Sequence, residues 1–178
     1  MTSLRLITGF CLTLTAPAAW ASAEYDASTL WLEQGVFCAV PIVDEMPAPG
    51  TAAGKIELFE GIPEFQWVTN EVPAVENISF GIKTEALDGR VYDNVILTLT
   101  HPEFRDSGIN VQRYVTSLGG VGTSINAYSF DTLEEMEPGI WTFSATRDGE
   151  LIYRASFRVV PPALSPEIAA ACGGLPLS

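Results

Sequence analysis

Ile140-Trp141-Thr142-Phe143-Ser144-Ala145-Thr146 and Leu151-Ile152-Tyr153-Arg154-Ala155-Ser156-Phe157-Arg158-Val159-Val160 stand on either side of Arg147-Asp148-Gly149-Glu150. Successive side chains of a strand point to opposite faces, so Trp141, Phe143 and Ala145 share one face of the first segment. Ala155, Phe157 and Val159 share one face of the second, with Arg154, Ser156 and Arg158 opposite. Asp-Gly between two alternating runs is a strong signal for a tight antiparallel hairpin, because both turn positions tolerate positive φ. Pro161-Pro162 ends the sheet, since proline has no N–H to give the ladder. Beyond it, Ser165-Pro166 reads as an N-cap and first helical residue, with Gly173 as the stop, so residues 166 to 172 form a short helix.

Upstream, the same period recurs. In Tyr92 to Thr100, Val95, Leu97 and Leu99 point one way and Ile96, Thr98 and Thr100 the other; His101-Pro102 closes the run. Val75 to Thr84, Ile109 to Ser117 and Ile125 to Phe130 are further strands, separated by Asp88-Gly89 and by Gly119-Gly120-Val121-Gly122. Lys55 to Phe59 and Glu64 to Thr69 are two more, split by Gly61-Ile62-Pro63. Thr29 to Val40, with Leu30, Leu32, Val36 and Cys38 on one face, is a first strand interrupted at Gly35. Pro41, Pro47, Pro49 and Gly50, with Asp44 and Glu45 between them, read as an extended polar connection.

Eight or nine short strands with one short helix define an all-β protein. The absence of helices alternating with strands argues against a parallel α/β sheet. An antiparallel immunoglobulin-like β-sandwich, with an N-terminal arm and a short C-terminal helix, is the expected fold, and a small barrel is the second choice. Residues 24–54 make the N-terminal strand and Pro-rich connection, 55–162 the sandwich domain, and 163–178 the tail with its helix.

Residues 1–23 read as a secretory signal peptide. Arg5 gives the positive region, Leu6 to Leu14 the apolar region, and Ala21-Ser22-Ala23 a small-x-small cleavage site, so cleavage between Ala23 and Glu24 is expected. The apolar run is shorter than the roughly 20 residues a membrane span needs, so no span is expected after signal removal. With Arg5 removed, 8 basic residues face 22 acidic ones, a net charge of −14. Cys11 leaves with the signal, and the two remaining cysteines of an exported chain, Cys38 and Cys172, are expected to form one disulfide. That cross-link would pin the tail to the first strand.

Phe80-Gly81-Ile82-Lys83, Thr100-His101-Pro102 and Tyr128-Ser129-Phe130-Asp131, followed by Glu135-Met136-Glu137-Pro138-Gly139-Ile140-Trp141-Thr142-Phe143, Gly149-Glu150-Leu151 and Phe157-Arg158-Val159, resemble a bacterial exported family known as a domain of unknown function. The resemblance covers about Phe80 to Val160 and implies an exported immunoglobulin-like sandwich. It brings no assigned activity, and therefore no catalytic residues.

Charge and composition exclude several functions. A chain with 22 acids against 9 bases lacks the clustered Lys and Arg that neutralise phosphates, so neither nucleic acid nor an anionic membrane surface is an expected partner. His101 is the sole imidazole. It has Asp106 and Ser107 near it in sequence, but no Gly-x-Ser-x-Gly elbow occurs, and a structural role beside Pro102 is expected. The Gly119–Gly122 stretch lacks the Gly-Lys-Ser/Thr ending of a phosphate loop and reads as a turn. Glu57, Glu60, Glu64 and Glu71 are candidate acids whose relative placement sequence cannot give. Glu134, Glu135 and Glu137 are oxygen-rich enough to suggest calcium, yet show no EF-hand spacing; a solvated acidic surface accounts for them. Trp141 is expected in the core; core or half-buried placement is the first reading for Trp31 and Trp67 as well, with exposure of either one for partner binding as the alternative.

The expected function is therefore a periplasmic or secreted binding or envelope-support module without catalysis or cofactor. Its partner would be an envelope protein or peptide, taken at a sheet edge, with basic partners favoured by the charge. The alternative is a carboxylate-dependent hydrolase or carbohydrate-binding module, which requires a concave pocket holding at least two acids, one with a raised pKa. Oligomeric state is left open.

Overall fold

The computed structural model describes residues 23–172. Eleven strands run in the order β1 Glu24–Tyr25, β2 Leu30–Cys38, β3 Ile42–Pro47, β4 Lys55–Phe59, β5 Glu71–Pro73, β6 Ile78–Ala86, β7 Val91–Thr100, β8 Val111–Gly119, β9 Ser124–Ser129, β10 Gly139–Arg147 and β11 Glu150–Val160. One short helix, α1 Pro166–Ala171, follows. The large sheet has the order β1-β11-β10-β7-β8, with β5 also on β11, and a second sheet has the order β2-β6-β9. All pairings are antiparallel except β5 on β11. The architecture is an immunoglobulin-like sandwich, not a closed barrel.

The hairpin that anchors the reading is β10–β11. Asp148 (φ 52°) and Gly149 (φ 84°) both sit in the left-handed region, the pair of conformations a two-residue turn matching strand twist demands. From this hairpin Trp141, Phe143, Ala145, Ala155, Phe157 and Val159 enter the core, joined by Val95, Leu97 and Leu99 of β7. Facing them, β6 and β2 contribute Ile78, Phe80, Ile82, Leu30 and Val36. Phe80 lies at the centre, with Trp141, Phe143 and Phe157 packed edge-on to it at ring-centroid distances of 5.1–5.9 Å. Trp141 is thus in the core, as expected.

Three local expectations are corrected. First, β2 runs through Gly35 without interruption, pairing that residue with Gly81 of β6. The glycine serves a close approach, because a Cβ there would collide with the ring of Phe65. Accordingly β2 is a full strand of the second sheet and not part of an arm.

Second, the Pro-rich connection contains β3, paired with β4 as a separate two-stranded sheet. Pro41 and Pro47 mark its ends, where no ladder N–H is lost, and the intervening acids are tolerated because every β3 residue is exposed.

Third, Glu64 to Thr69 is not a strand; only Trp67 bridges to Val36. The segment instead lies over the outer face of the second sheet, where Phe65 covers Gly35 and the buried Lys83 reaches the Phe65 ring at 4.8 Å and Glu64 at 3.1 Å. This cover explains why β6 is buried on both faces.

In the large sheet, β1 and β5 share the free edge of β11, one at each end. Between them the Ser156 carbonyl accepts from Gln34 Nε2 at 3.0 Å, which closes the gap with a side chain.

A disulfide joins Cys38, at the end of β2, to Cys172, immediately after α1, with the Cα atoms 5.0 Å apart. Helix α1 buries Ile168 and Ala169. Its expected stop at Gly173, and the signal-peptide residues up to Ser22, lie outside the described residues. Among the described residues no helix is long and apolar enough to cross a membrane.

Candidate functional site: the β3–β4 hairpin and the cavity beneath it

Strands β8 and β9 are edge strands of different sheets, so the sandwich is open between them. The β3–β4 hairpin lies over this opening. Its loop is fastened to β8 by Arg113 N–H donating to Gly50 O (2.8 Å) and by Ala52 N–H donating to Gln112 Oε1 (2.8 Å). Within the loop, Thr51 Oγ1 donates to the carbonyls of Ala48 and Lys55 at 2.9 and 3.0 Å. At the other end the ring of Phe59 meets Phe37 edge-on at 5.8 Å.

A cavity of about 90 Å³ remains between hairpin and sandwich. Its inner wall is apolar, formed by Leu97, Leu99 and Phe143 of the large sheet with Ile56 and Phe59 of the hairpin. Tyr114, Gln112 and Tyr128 make the sides, and Lys55, Glu57, Asp131 and Glu135 bring charge. Burial holds the Tyr114 phenol up at about 12, and burial together with the charge of Glu135 raises Tyr128, so both stay neutral. Burial also raises the Asp131 carboxyl; the nearby charge of Glu57 adds to this and Lys55 opposes it. Glu135 is pushed up by burial, against the Asp131 N–H that donates to its Oε2 at 2.7 Å. That bond ties the 3-10 turn at Leu133–Glu135 back to the chain entering it, so Glu135 has a structural task.

His101 adjoins this site from the core side. The imidazole is buried and packs against the rings of both Phe104 (4.1 Å) and Trp141 (4.5 Å). Its Nδ1–H donates to Pro102 O at 2.8 Å, because a carbonyl can only accept. Nε2 must then accept, and Gln112 Nε2 donates to it at 3.1 Å. The same amide nitrogen donates to Tyr128 Oη at 3.3 Å, so Gln112 is saturated and its orientation is set. Both imidazole nitrogens are occupied. The Ser107 N–H donates to Glu134 Oε2 at 3.2 Å. The histidine therefore organises the core behind the cavity, and neither of its nitrogens meets a nucleophile.

Burial lowers the His101 pKa below its ordinary value. The unfolded chain then binds the proton more readily than the native one, so stability is complete above a pH of about 6.5 and falls as the pH drops below it. Asp131 and Glu135 have the opposite sign: with raised native pKa values they favour the folded state as pH falls. Replacing His101→Gln is expected to flatten the loss of stability between roughly pH 7 and 5, read as the melting temperature across that range. Parallel profiles for the two proteins would contradict this assignment.

The remaining candidates disperse. Glu134 accepts from the Ser107 N–H, Glu135 accepts from the Asp131 N–H, and Glu137 pairs with Arg105 at 2.6 Å, so the acidic run points in three directions. Among the described residues no group of three or more His, Cys, Asp or Glu is placed to hold a metal ion. Glu64 pairs with Lys83 and Glu71 with Arg158. Trp67 is half-buried and Trp31 is 40% exposed; exposed apolar side chains also stand on β3, at Ile42, Val43 and Met46. Those were missed because a strand open to solvent on both faces carries no alternation.

No curated protein matches the chain in sequence. The crystal structure of an immunoglobulin-like protein from Pseudomonas aeruginosa is similar at a TM-score of 0.51 and 21% identity, over 80% of this chain and 100% of that one, a likeness of fold. The model of the domain of unknown function DUF3859 matches residues 27–159, well over half of the sequence, and the protein belongs to that family.

Proposed function

We propose that the protein is an exported, non-catalytic binding module of the bacterial envelope that takes an extended, basic segment of another envelope polypeptide along β3. The observation that carries this reading is the free edge of β3. Among the described residues only β4 pairs with it, and Ile42, Val43 and Met46 are exposed at 46–58%. An unpaired strand edge offers main-chain donors and acceptors to an extended peptide, while alternate side chains supply specificity. Asp44 and Glu45 lie on the strand, so the charge of the edge suits Lys- and Arg-bearing segments. The Cys38–Cys172 bond and the apolar run after Arg5 agree with an oxidising, exported setting.

A hydrolytic reading gains little from the acids of the cavity. A volume of about 90 Å³ is well below the roughly 300 Å³ at which ligand pockets for ordinary small molecules begin, and Glu135 is engaged by the Asp131 N–H.

A photo-crosslinker placed at Val43 in the exported protein is expected to trap one polypeptide in cells, with the crosslink mapping to an extended Lys/Arg-bearing segment. Ile42→Lys, which leaves the sandwich untouched but charges the edge, is expected to abolish that crosslink. Crosslinks that map to folded or acidic regions, or that persist in Ile42→Lys, would refute the reading.

A further inference from the structure

We propose that the cavity under the β3–β4 hairpin is a binding site for an ammonium group carried on a short apolar stem, stem inward and cation at the mouth. The proposal is independent of the β3 edge, which lies on the outer side of the same hairpin.

Polarity decides the orientation. The inner wall is Leu97, Leu99 and Phe143, which are buried core residues of the large sheet. Asp131 is exposed, and its carboxylate accepts no hydrogen bond from the described residues. Glu57 faces it from the hairpin, paired with Lys55 at 3.4 Å, and Lys55 is also bound by Glu45. With Glu135 included, three carboxylates and one ammonium line the site, leaving it two negative charges in excess. A single organic cation at the mouth would reduce that excess. Tyr128, whose hydroxyl accepts from Gln112, lines the same site.

Size restricts the stem. A cavity of about 90 Å³ is small for a ligand pocket, which favours a stem of a few carbons over a sugar or a large aromatic. A lysine side chain entering end-on has the reverse polarity: it would drive its ammonium against Leu97 and Leu99. The fitting chemistry is a free alkylammonium, or the N-terminal residue of a peptide whose α-ammonium sits beside an aliphatic side chain.

The test is a titration of the purified protein by ¹H–¹⁵N NMR with n-butylammonium, 1-butanol, a peptide beginning with leucine, and its N-acetylated form. Butylammonium is expected to shift resonances around Tyr128, Asp131 and Gln112, with 1-butanol weaker by about tenfold or more. Asp131→Asn, an exposed and conservative change, is expected to weaken butylammonium by a similar factor while leaving the rest of the spectrum in place. The free but not the acetylated leucyl peptide joining it would assign the source to a chain N-terminus; butylammonium alone would assign it to a free amine. Equal binding of alcohol and amine, shifts confined to other surfaces, or an unchanged affinity in Asp131→Asn would each overturn the proposal.

Discussion

Trp141→Ala is expected to destabilise the protein by about 3–5 kcal/mol, the largest effect of any single core truncation. Trp141 is fully buried, and five rings, His101 included, pack against its indole: Phe80 at 5.7 Å, Phe130 at 5.5 Å, Tyr128 at 5.2 Å, Phe104 at 5.9 Å and His101 at 4.5 Å. Truncation removes both the transfer free energy of the indole and the contacts of the cavity left behind, which rigid rings cannot collapse to fill. The Glu137 carbonyl also loses the Nε1–H that donates to it at 3.1 Å. Against a domain stability of roughly 5–15 kcal/mol, this is a substantial share. For a chain of this length it corresponds to a melting temperature lower by about 6–20 °C. Trp141→Phe keeps a ring in the stack but loses volume and the donor, and is expected to fall between wild type and alanine. Urea unfolding followed by far-ultraviolet circular dichroism measures both, since fluorescence loses its main reporter. A cost under about 1.5 kcal/mol for the alanine variant would mean that the aromatic cluster repacks, and that the sandwich core is more plastic than its geometry implies.

The consequence reaches the cavity. Tyr128 contacts Trp141 on one side and lines the cavity on the other, while Gln112 links its hydroxyl to His101. A loosened Trp141 would therefore release the wall that holds the mouth carboxylates in place. The same chain of contacts explains why a buried histidine belongs here: its two nitrogens orient an amide that is shared between the β3–β4 loop, β8 and β9. Core packing and site geometry are one construction at this end of the sandwich.

How much of this could be read from residues alone differs sharply along the chain. The β10–β11 hairpin and β7 were legible because one face of each is buried and the other is not, which writes a period of two into the sequence. The Asp148-Gly149 turn was legible for the same local reason. Strand β3 was not: exposed on both faces, it has no period, and its prolines and acids resemble a connection. Strand β5 spans only three residues and pairs in parallel with β11, a long-range match that no neighbouring residue announces. Phe65 covers Gly35 across thirty positions of chain, so what read as an interruption of one strand and the start of another is one packed contact. The cavity was the least legible part. Leu97 and Leu99 read correctly as core, and Gln112, Tyr128 and Asp131 are ordinary strand and turn residues. They meet only because β8 and β9 are edges of different sheets under a third. Conversely, Glu134, Glu135 and Glu137, close in sequence, read as a solvated acidic surface, but each carboxylate goes to a separate partner and Glu135 is buried.

Removing the Cys38–Cys172 bond is expected to cost about 2–5 kcal/mol, and the double variant Cys38→Ser with Cys172→Ser is the construction that tests it without leaving a lone reactive thiol. The bond spans 134 residues, nearly the whole described chain, and the chain-entropy model assigns such a loop about 5 kcal/mol of unfolded-state restriction. The native contacts around it reduce what it adds. Val160 already accepts from Ala74 N at 2.8 Å, and Ile168 and Ala169 of α1 are buried independently of the sulfurs. The tail is thus docked by packing and cross-linked to β2 besides, which places most of the bond's effect in the unfolded ensemble. Two readouts separate the contributions. Global unfolding of the double variant should shift by several degrees with no change in native secondary structure, while hydrogen exchange in α1 should rise beyond that global change if the bond also holds the helix locally. A shift below about 1 kcal/mol would show that the unfolded chain is already restricted by residual structure. Two free thiols in protein taken directly from cells would go further and remove the oxidising compartment on which the proposed envelope role rests.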